Sequence, residues 1–173
     1  MRSLRSAGGP LGRRLKALVN TSPLIFLAKA GLLSLLKEVF SQVYTTRQVL
    51  DEVTYPLRHG ISSRDAELIA RCAWIRIVEL SSEELEEVER ARLELGIDKG
   101  EASLLVAYRR GFDLVITADR RAERRFKAKG LNVMDLSELL LLAEREGIVD
   151  VKEVAGKVWN AGYRVRRIRR LMA

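Results

Sequence analysis

The sequence predicts a three-layer α/β/α sandwich with a short, mainly parallel sheet. Short apolar segments alternate with segments of helical periodicity along the chain, and this alternation is typical of a parallel sheet covered by helices on both faces. Residues 17–20 and 113–117 are apolar without alternation, as strands buried on both faces must be. We therefore place these two strands in the centre of the sheet.

The remaining elements follow from periodicity and from boundary residues. Predicted strands cover residues 17–20, 42–45, 74–80, 113–117 and 131–134. Predicted helices cover residues 24–30, 32–40, 47–55, 62–73, 81–96, 98–110, 120–129, 137–146 and 150–160. Thr46 is a candidate N-cap, and Ser62 and Ser81 each stand three residues before an acid, which is the spacing of a capping box.

The basic character of the chain belongs to its two ends. Residues 1–16 and 163–173 each carry five cations and no acid, whereas the 173-residue chain has a net charge of +8, so the body between them is near −2. We interpret residues 1–16 as a basic N-terminal arm, residues 17–149 as one domain, and residues 150–173 as a C-terminal helix with an arginine-rich tail. Arginine-rich ends suit a polyanion such as nucleic acid, and the alternative is that they only aid solubility.

Composition narrows the classes of function. The chain has one histidine and one cysteine, so it can form neither a histidine-based metal cluster nor an internal disulfide. No apolar run is long enough to span a membrane, and residues 8–12 are rich in glycine where a secretory signal would be apolar. We expect a cytoplasmic protein that does not bind membranes.

Four polar side chains are predicted to lie together at the carboxyl edge of the parallel sheet. Asn20 ends the first predicted strand, Glu52 lies inside a helix, Glu101 lies at a helix start, and Asp119 follows a buried strand. Open α/β folds bind ligands at the carboxyl ends of their strands. Carboxylates gathered at that edge would need a cation, so the sequence predicts a cation site there.

Each of these acids also has a purely structural interpretation. Asp98 and Glu101 have the spacing of a capping box, and Asp119 stands where an N-cap is needed. Glu52 could belong to a solvated helix face. The joint pattern, rather than any single acid, favours a functional site.

Four motifs together resemble a known family. They are Val-Asn-Thr-Ser-Pro-Leu-Ile from residue 19, Val-Leu-Asp-Glu-Val from residue 49, Gly-Glu-Ala from residue 100 and Val-Ile-Thr-Ala-Asp from residue 115. In order and spacing they resemble the motifs of PIN domains, the nuclease domains of VapC-type toxins and related RNA-processing proteins. The resemblance covers about residues 17–149.

The resemblance implies a metal-dependent ribonuclease and names its residues. Glu52, Glu101 and Asp119 match the second, third and fourth acids of the family, which surround Mg²⁺ or Mn²⁺ and act in catalysis. Asn20 stands where the family has its first acid. Thr21, Ser22 and Thr117 match small polar residues that support the site.

The first position departs from the family pattern. The Asn20 amide oxygen can bind a hard cation, but it brings no charge, and Ala118 stands where many relatives have a further acid. The loss of one negative charge predicts weaker metal binding, and the fold prediction is unchanged.

A cationic helix follows the last acid directly. Arg120, Arg121, Arg124 and Arg125 are predicted to bind the nucleic-acid backbone, so that the acids can hold a metal without repelling RNA. The structural alternative is a solvated helix face, because arginine is a good helix former.

Three hypotheses follow. The first is a Mg²⁺- or Mn²⁺-dependent endoribonuclease of toxin type with a weakened site, with RNA as substrate and a protein antitoxin as candidate partner. The second is a catalytically inactive PIN-fold module that binds RNA or protein. The third is a generic doubly wound binding domain, which the absence of a glycine-rich loop after the first strand disfavours.

A homodimer is also expected. Residues 31–40 and 137–142 carry more leucine than one thin sheet would cover, and exposed apolar patches mark interfaces.

Overall fold

The computed structural model describes residues 14–173. Five strands in this part of the chain form one sheet. The strands are β1 (Lys16–Val19), β2 (Gln42–Thr46), β3 (Ile75–Val78), β4 (Leu114–Ile116) and β5 (Val133–Met134). Their order is β3-β2-β1-β4-β5, and every neighbouring pair is parallel. Helices flank the sheet, so the predicted α/β/α sandwich is confirmed.

The two strands predicted to be central are central. β1 pairs with β2 on one side and with β4 on the other, and Leu18 lies opposite Val115. β4 has β5 as its other neighbour. The side chains of Ala17, Leu18 and Val115 are fully buried, as a strand covered on both faces requires.

Eleven helices connect and cover the strands in the described part of the chain. They are α1 (Thr21–Ala30), α2 (Leu35–Val39), α3 (Arg47–Val53), α4 (Tyr55–Arg58), α5 (Arg64–Ala70), α6 (Ser82–Leu95), α7 (Lys99–Tyr108), α8 (Arg120–Ala128), α9 (Leu136–Arg145), α10 (Val151–Asn160) and α11 (Arg166–Met172).

Several helix boundaries follow from capping. Thr46 caps α3, and Ser81 forms a full capping box with Glu84 at the start of α6, as predicted. The predicted box at Ser62 is wrong, because the Ser63 hydroxyl accepts from the Ala66 amide and starts α5 one residue later. Both serines are good N-caps, and only the backbone path selects between them.

The leucine-rich segments are buried within a single chain. Leu35 and Leu36 of α2 and Leu139 and Leu140 of α9 are at most 2% exposed, and α2 contacts α9. Leu141 is exposed. The excess of leucine is therefore covered inside the protein and gives no argument for a dimer.

Four of the five C-terminal arginines belong to a folded helix, α11, and not to a tail. α11 packs against α10, and its Ile168 is fully buried. At the other end, Lys16 begins β1, and residues 1–13 of the predicted arm lie outside the described residues. No helix among residues 14–173 is long and apolar enough to cross a membrane.

Candidate active site

One cleft at the carboxyl edge of the sheet contains all the predicted metal ligands. Asn20 follows β1 and caps α1, while Asp119 follows β4 and caps α8. Glu52 comes from α3, and Glu101 comes from the first turn of α7. The side chains lining the cleft include Asn20, Thr21, Ser22, Lys29, Glu52, Asp98, Glu101 and Asp119.

Buried hydroxyl groups hold the helices that carry the two glutamates. Thr46, which caps α3, shares a 2.6 Å hydrogen bond with Ser103 of α7. The Ser103 hydroxyl also lies 2.6 Å from the Gly100 carbonyl oxygen, to which it can donate. Because both hydroxyls are buried, this contact fixes the start of α3 against the start of α7.

The Asn20 side chain is buried and joins the ends of the two central strands. Its Oδ1 accepts from the Thr21 amide at 2.8 Å, and its Nδ2 donates to Thr117 Oγ1 at 3.2 Å. The same Thr117 oxygen accepts from the Asp119 amide at 3.2 Å. Ser22 adds a second link by accepting from the Ala118 amide at 3.0 Å. The four small polar residues therefore set the position of Asp119.

Glu52 lies in a crowded acidic environment. Its Oε2 accepts a hydrogen bond from Thr21 Oγ1 at 2.9 Å. Desolvation raises the pKa of Glu52, the Thr21 bond opposes this, and the negative charges of Asp98 and Glu101 raise it further. Acids that repel one another in this way attract a cation.

Gly100 provides room for this carboxylate. A Cβ atom at Gly100 would lie only 2.8 Å from Glu52 Oε2 and 3.2 Å from Asp98 Oδ1. The absence of a side chain therefore lets Glu52 approach the first turn of α7.

Asp98 caps α7 and also lines the cleft, together with the predicted ligands. Its Oδ1 accepts from the Glu101 amide at 2.8 Å, which confirms the cap. The reciprocal half of a capping box is replaced, since the Glu101 carboxylate binds Arg125 instead. The spacing of Asp98 is the same for a cap and for a cap that also lines a site, so the sequence carried no separate signal.

Arg125 differs from the other three arginines predicted to bind nucleic acid. Its Nε and Nη2 donate to the two Glu101 carboxylate oxygens at 2.9 and 2.7 Å, and Glu101 is only 3% exposed. This hydrogen bonding raises the pKa of Arg125, and the charges of Asp119 and Asp98 contribute. Arg125 is thus a counterion of the acid cleft and is not free for a phosphate.

The donor set fits a hard divalent cation in its chemistry. Mg²⁺ and Mn²⁺ prefer oxygen ligands, and the cleft offers carboxylates and one amide oxygen. Within residues 14–173, no three acids stand close enough together to hold an ion. Arg125 occupies Glu101, so an ion that uses Glu101 would have to displace this guanidinium.

These features define an open, all-parallel α/β domain with a cleft of acidic side chains at the carboxyl edge of its sheet. A family model described as a PIN domain matches residues 16–169, so the chain belongs to the PIN-domain family and has a nuclease-type fold. The match continues through α10 into α11. None of the curated proteins matches the chain.

Replacing Glu52 by glutamine is expected to stabilise the metal-free protein at neutral pH. The pKa of Glu52 is raised above its ordinary 4.5, so the folded state binds this proton more tightly than the unfolded state does. As the pH rises from the unfolded-state pKa of Glu52 through its higher folded-state pKa, ionisation of Glu52 lowers the free energy of unfolding. Glu52→Gln cannot ionise, so it removes this loss. Urea unfolding from about pH 4 to about pH 8 measures it. An unchanged pH dependence would contradict the assignment.

Proposed function

We propose that the protein is a divalent-metal-dependent endoribonuclease whose site is weakened by Asn20. The observation that supports this most is the collection of Glu52, Asp98, Glu101 and Asp119 in one cleft at the carboxyl edge of a PIN-domain sheet. Several carboxylates at one edge cost electrostatic energy unless a cation offsets their charge.

Each acid has a defined part in this proposal. One or two of Glu52, Asp98 and Asp119 would hold Mg²⁺ or Mn²⁺ together with water, as is usual for Mg²⁺, and Glu101 would join them after release from Arg125. The side-chain Oδ1 of Asn20 accepts a hydrogen bond from the Thr21 amide through one lone pair. Its second lone pair is available, so this oxygen can serve as a neutral metal ligand. The ion would supply an activated water and neutralise charge on the scissile phosphate.

Three arginines of α8 are suited to hold the RNA backbone beside the acids. Arg120, Arg121 and Arg124 are exposed, and within residues 14–173 none of their side chains makes an ion pair or a hydrogen bond. One guanidinium group can donate two parallel hydrogen bonds to two oxygens of the same phosphate. They would therefore offset the repulsion between RNA and the acid cleft.

A second candidate function is an inactive PIN-fold module that binds RNA or a protein. Its support is the pairing of Arg125 with Glu101 together with the neutral Asn20. A guanidinium that stays in the cleft satisfies the buried acid without any metal.

Three finer proposals are a protein antitoxin as partner, a homodimer and a cytoplasmic location. The first two rest on analogy with PIN-domain toxins, and the third rests on the composition of the chain, which has a single cysteine. Light scattering at micromolar concentration should give twice the 19.6 kDa mass of one chain, and the mass of a single chain would contradict the dimer.

The decisive experiment is a calorimetric titration with Mn²⁺, paired with cleavage of single-stranded RNA. We expect the wild type to bind Mn²⁺ and cleave slowly, and Asp119→Asn to lose both while keeping the cap of α8, since asparagine caps as well as aspartate.

The Gly100→Ala variant is the matched probe of geometry. It retains every acid and improves helix propensity by about 1 kcal/mol, yet its Cβ must displace Glu52, so Mn²⁺ binding should weaken without loss of stability. If the wild type neither binds Mn²⁺ nor cleaves RNA, the nuclease proposal fails and the binding module takes its place.

A further inference from the structure

A second cleft, here called the α8–α11 groove, lies between α8 and α11. Arg120 of α8 and Arg166, Arg167 and Arg170 of α11 line it, together with Tyr163. The sequence pattern assigned the C-terminal arginines to a tail, so the folded groove is a feature that only the structure reveals.

The acids of the groove already have cationic partners. Lys127 pairs with Glu123 at 2.7 Å. Arg167 pairs with Asp135 at 3.2 Å and with Glu138 at 3.0 Å. Lys127 and Arg167 thus offset two of the three negative charges, and the ionised side chains that line the groove, five cations and three acids, leave it a net charge of +2.

Three arginines of the groove remain available. Arg120, Arg166 and Arg170 are exposed, and within the described residues their side chains make no ion pair or hydrogen bond. Arg166 and Arg170 are four residues apart on α11 and share one helix face. The buried Ile168 anchors that helix, so the two guanidinium groups project from a fixed position.

The groove continues the acid cleft. Asp119 lines the acid cleft, and the next residue, Arg120, lines the groove. The Phe26 ring of the acid cleft packs against the Tyr163 ring of the groove, with centroids 5.5 Å apart. A single phosphate could use one part of this surface, whereas a polyanionic chain can use both.

We propose that the α8–α11 groove binds backbone phosphates of single-stranded RNA next to the segment held in the acid cleft. The choice of RNA as the ligand rests on the proposed function. Phosphate contacts of this kind position a strand and carry no base information, so the groove should add affinity without sequence preference.

The test compares two double variants that remove the same charge. Arg166→Ala with Arg170→Ala changes the groove, and Arg64→Ala with Arg90→Ala removes two exposed arginines of α5 and α6 that have no ion pair among residues 14–173. Binding of a labelled RNA oligonucleotide is measured in EDTA over a range of salt. The groove variant should bind about 20-fold more weakly near 0.1 M salt, with a log–log slope shallower by about 1.4. The control should stay near wild type.

Each outcome has a separate meaning because cleavage is measured in parallel with Mn²⁺. Equal affinity and slope in the two double variants would overturn the groove, even if the wild type cleaves RNA. A groove-specific loss of binding in a wild type that never cleaves would support the groove and overturn the nuclease. Thermal unfolding of both double variants checks that binding is compared between folded proteins.

Discussion

Replacing Asn20 by aspartate is expected to raise both the affinity for Mn²⁺ and the rate of RNA cleavage. The variant adds a negative charge to a buried position of the acid cleft, where Coulomb interactions exceed their size in bulk water. Thr117 now accepts from the Asn20 amide, and its hydroxyl can rotate to donate to a carboxylate instead. We expect Mn²⁺ affinity to rise about 10- to 100-fold, which is about 1.4 to 2.8 kcal/mol.

Two variants show whether the gain belongs to the cleft. Asp119→Asn in the Asn20→Asp background should abolish it, whereas Asn160→Asp adds the same charge at the exposed end of α10 and should change neither quantity. Asn20→Asp should also lower stability without metal, because the acids repel one another. If Asn20→Asp neither binds metal better nor cleaves RNA under any metal tried, the acids are not a nuclease site.

Much of the fold could be predicted because it depends on local signals. The apolar runs that became β1 and β4 placed these strands in the centre, since only a strand covered on both faces lacks polar alternation. Thr46 and Ser81 marked helix starts because their hydroxyls satisfy free amides there.

Features that depend on tertiary contacts could not be predicted from the sequence pattern. The leucine content of α2 and α9 predicts an exposed apolar patch, whereas contacts within the chain bury most of these side chains. Arg125 and Arg124 are equivalent as helix formers, and only the approach of Glu101, 24 residues earlier in the chain, separates them. The same holds for Asp98, whose second role depends on α3 packing against α7.

The pairing of Arg125 with Glu101 leads to the second large expected effect. Arg125→Met should destabilise the metal-free protein by about 2–3 kcal/mol, because it leaves a buried carboxylate without its cation. The value is set below the loss for a fully buried pair because the Arg125 side chain is 35% exposed. Arg124→Met, on an exposed neighbour without an ion pair among residues 14–173, should change stability by no more than about 0.5 kcal/mol.

The same substitution should raise the affinity for Mn²⁺, although it lowers the stability of the metal-free protein. With Arg125 absent, Glu101 no longer has a guanidinium to be displaced, so Mn²⁺ should bind Arg125→Met more tightly and restore much of its lost stability. Urea unfolding with and without Mn²⁺ measures both effects on one protein. A purely structural salt bridge would give the loss of stability without the gain in metal affinity. Opposite signs for stability and affinity would identify Arg125 as the internal counterion that a metal replaces.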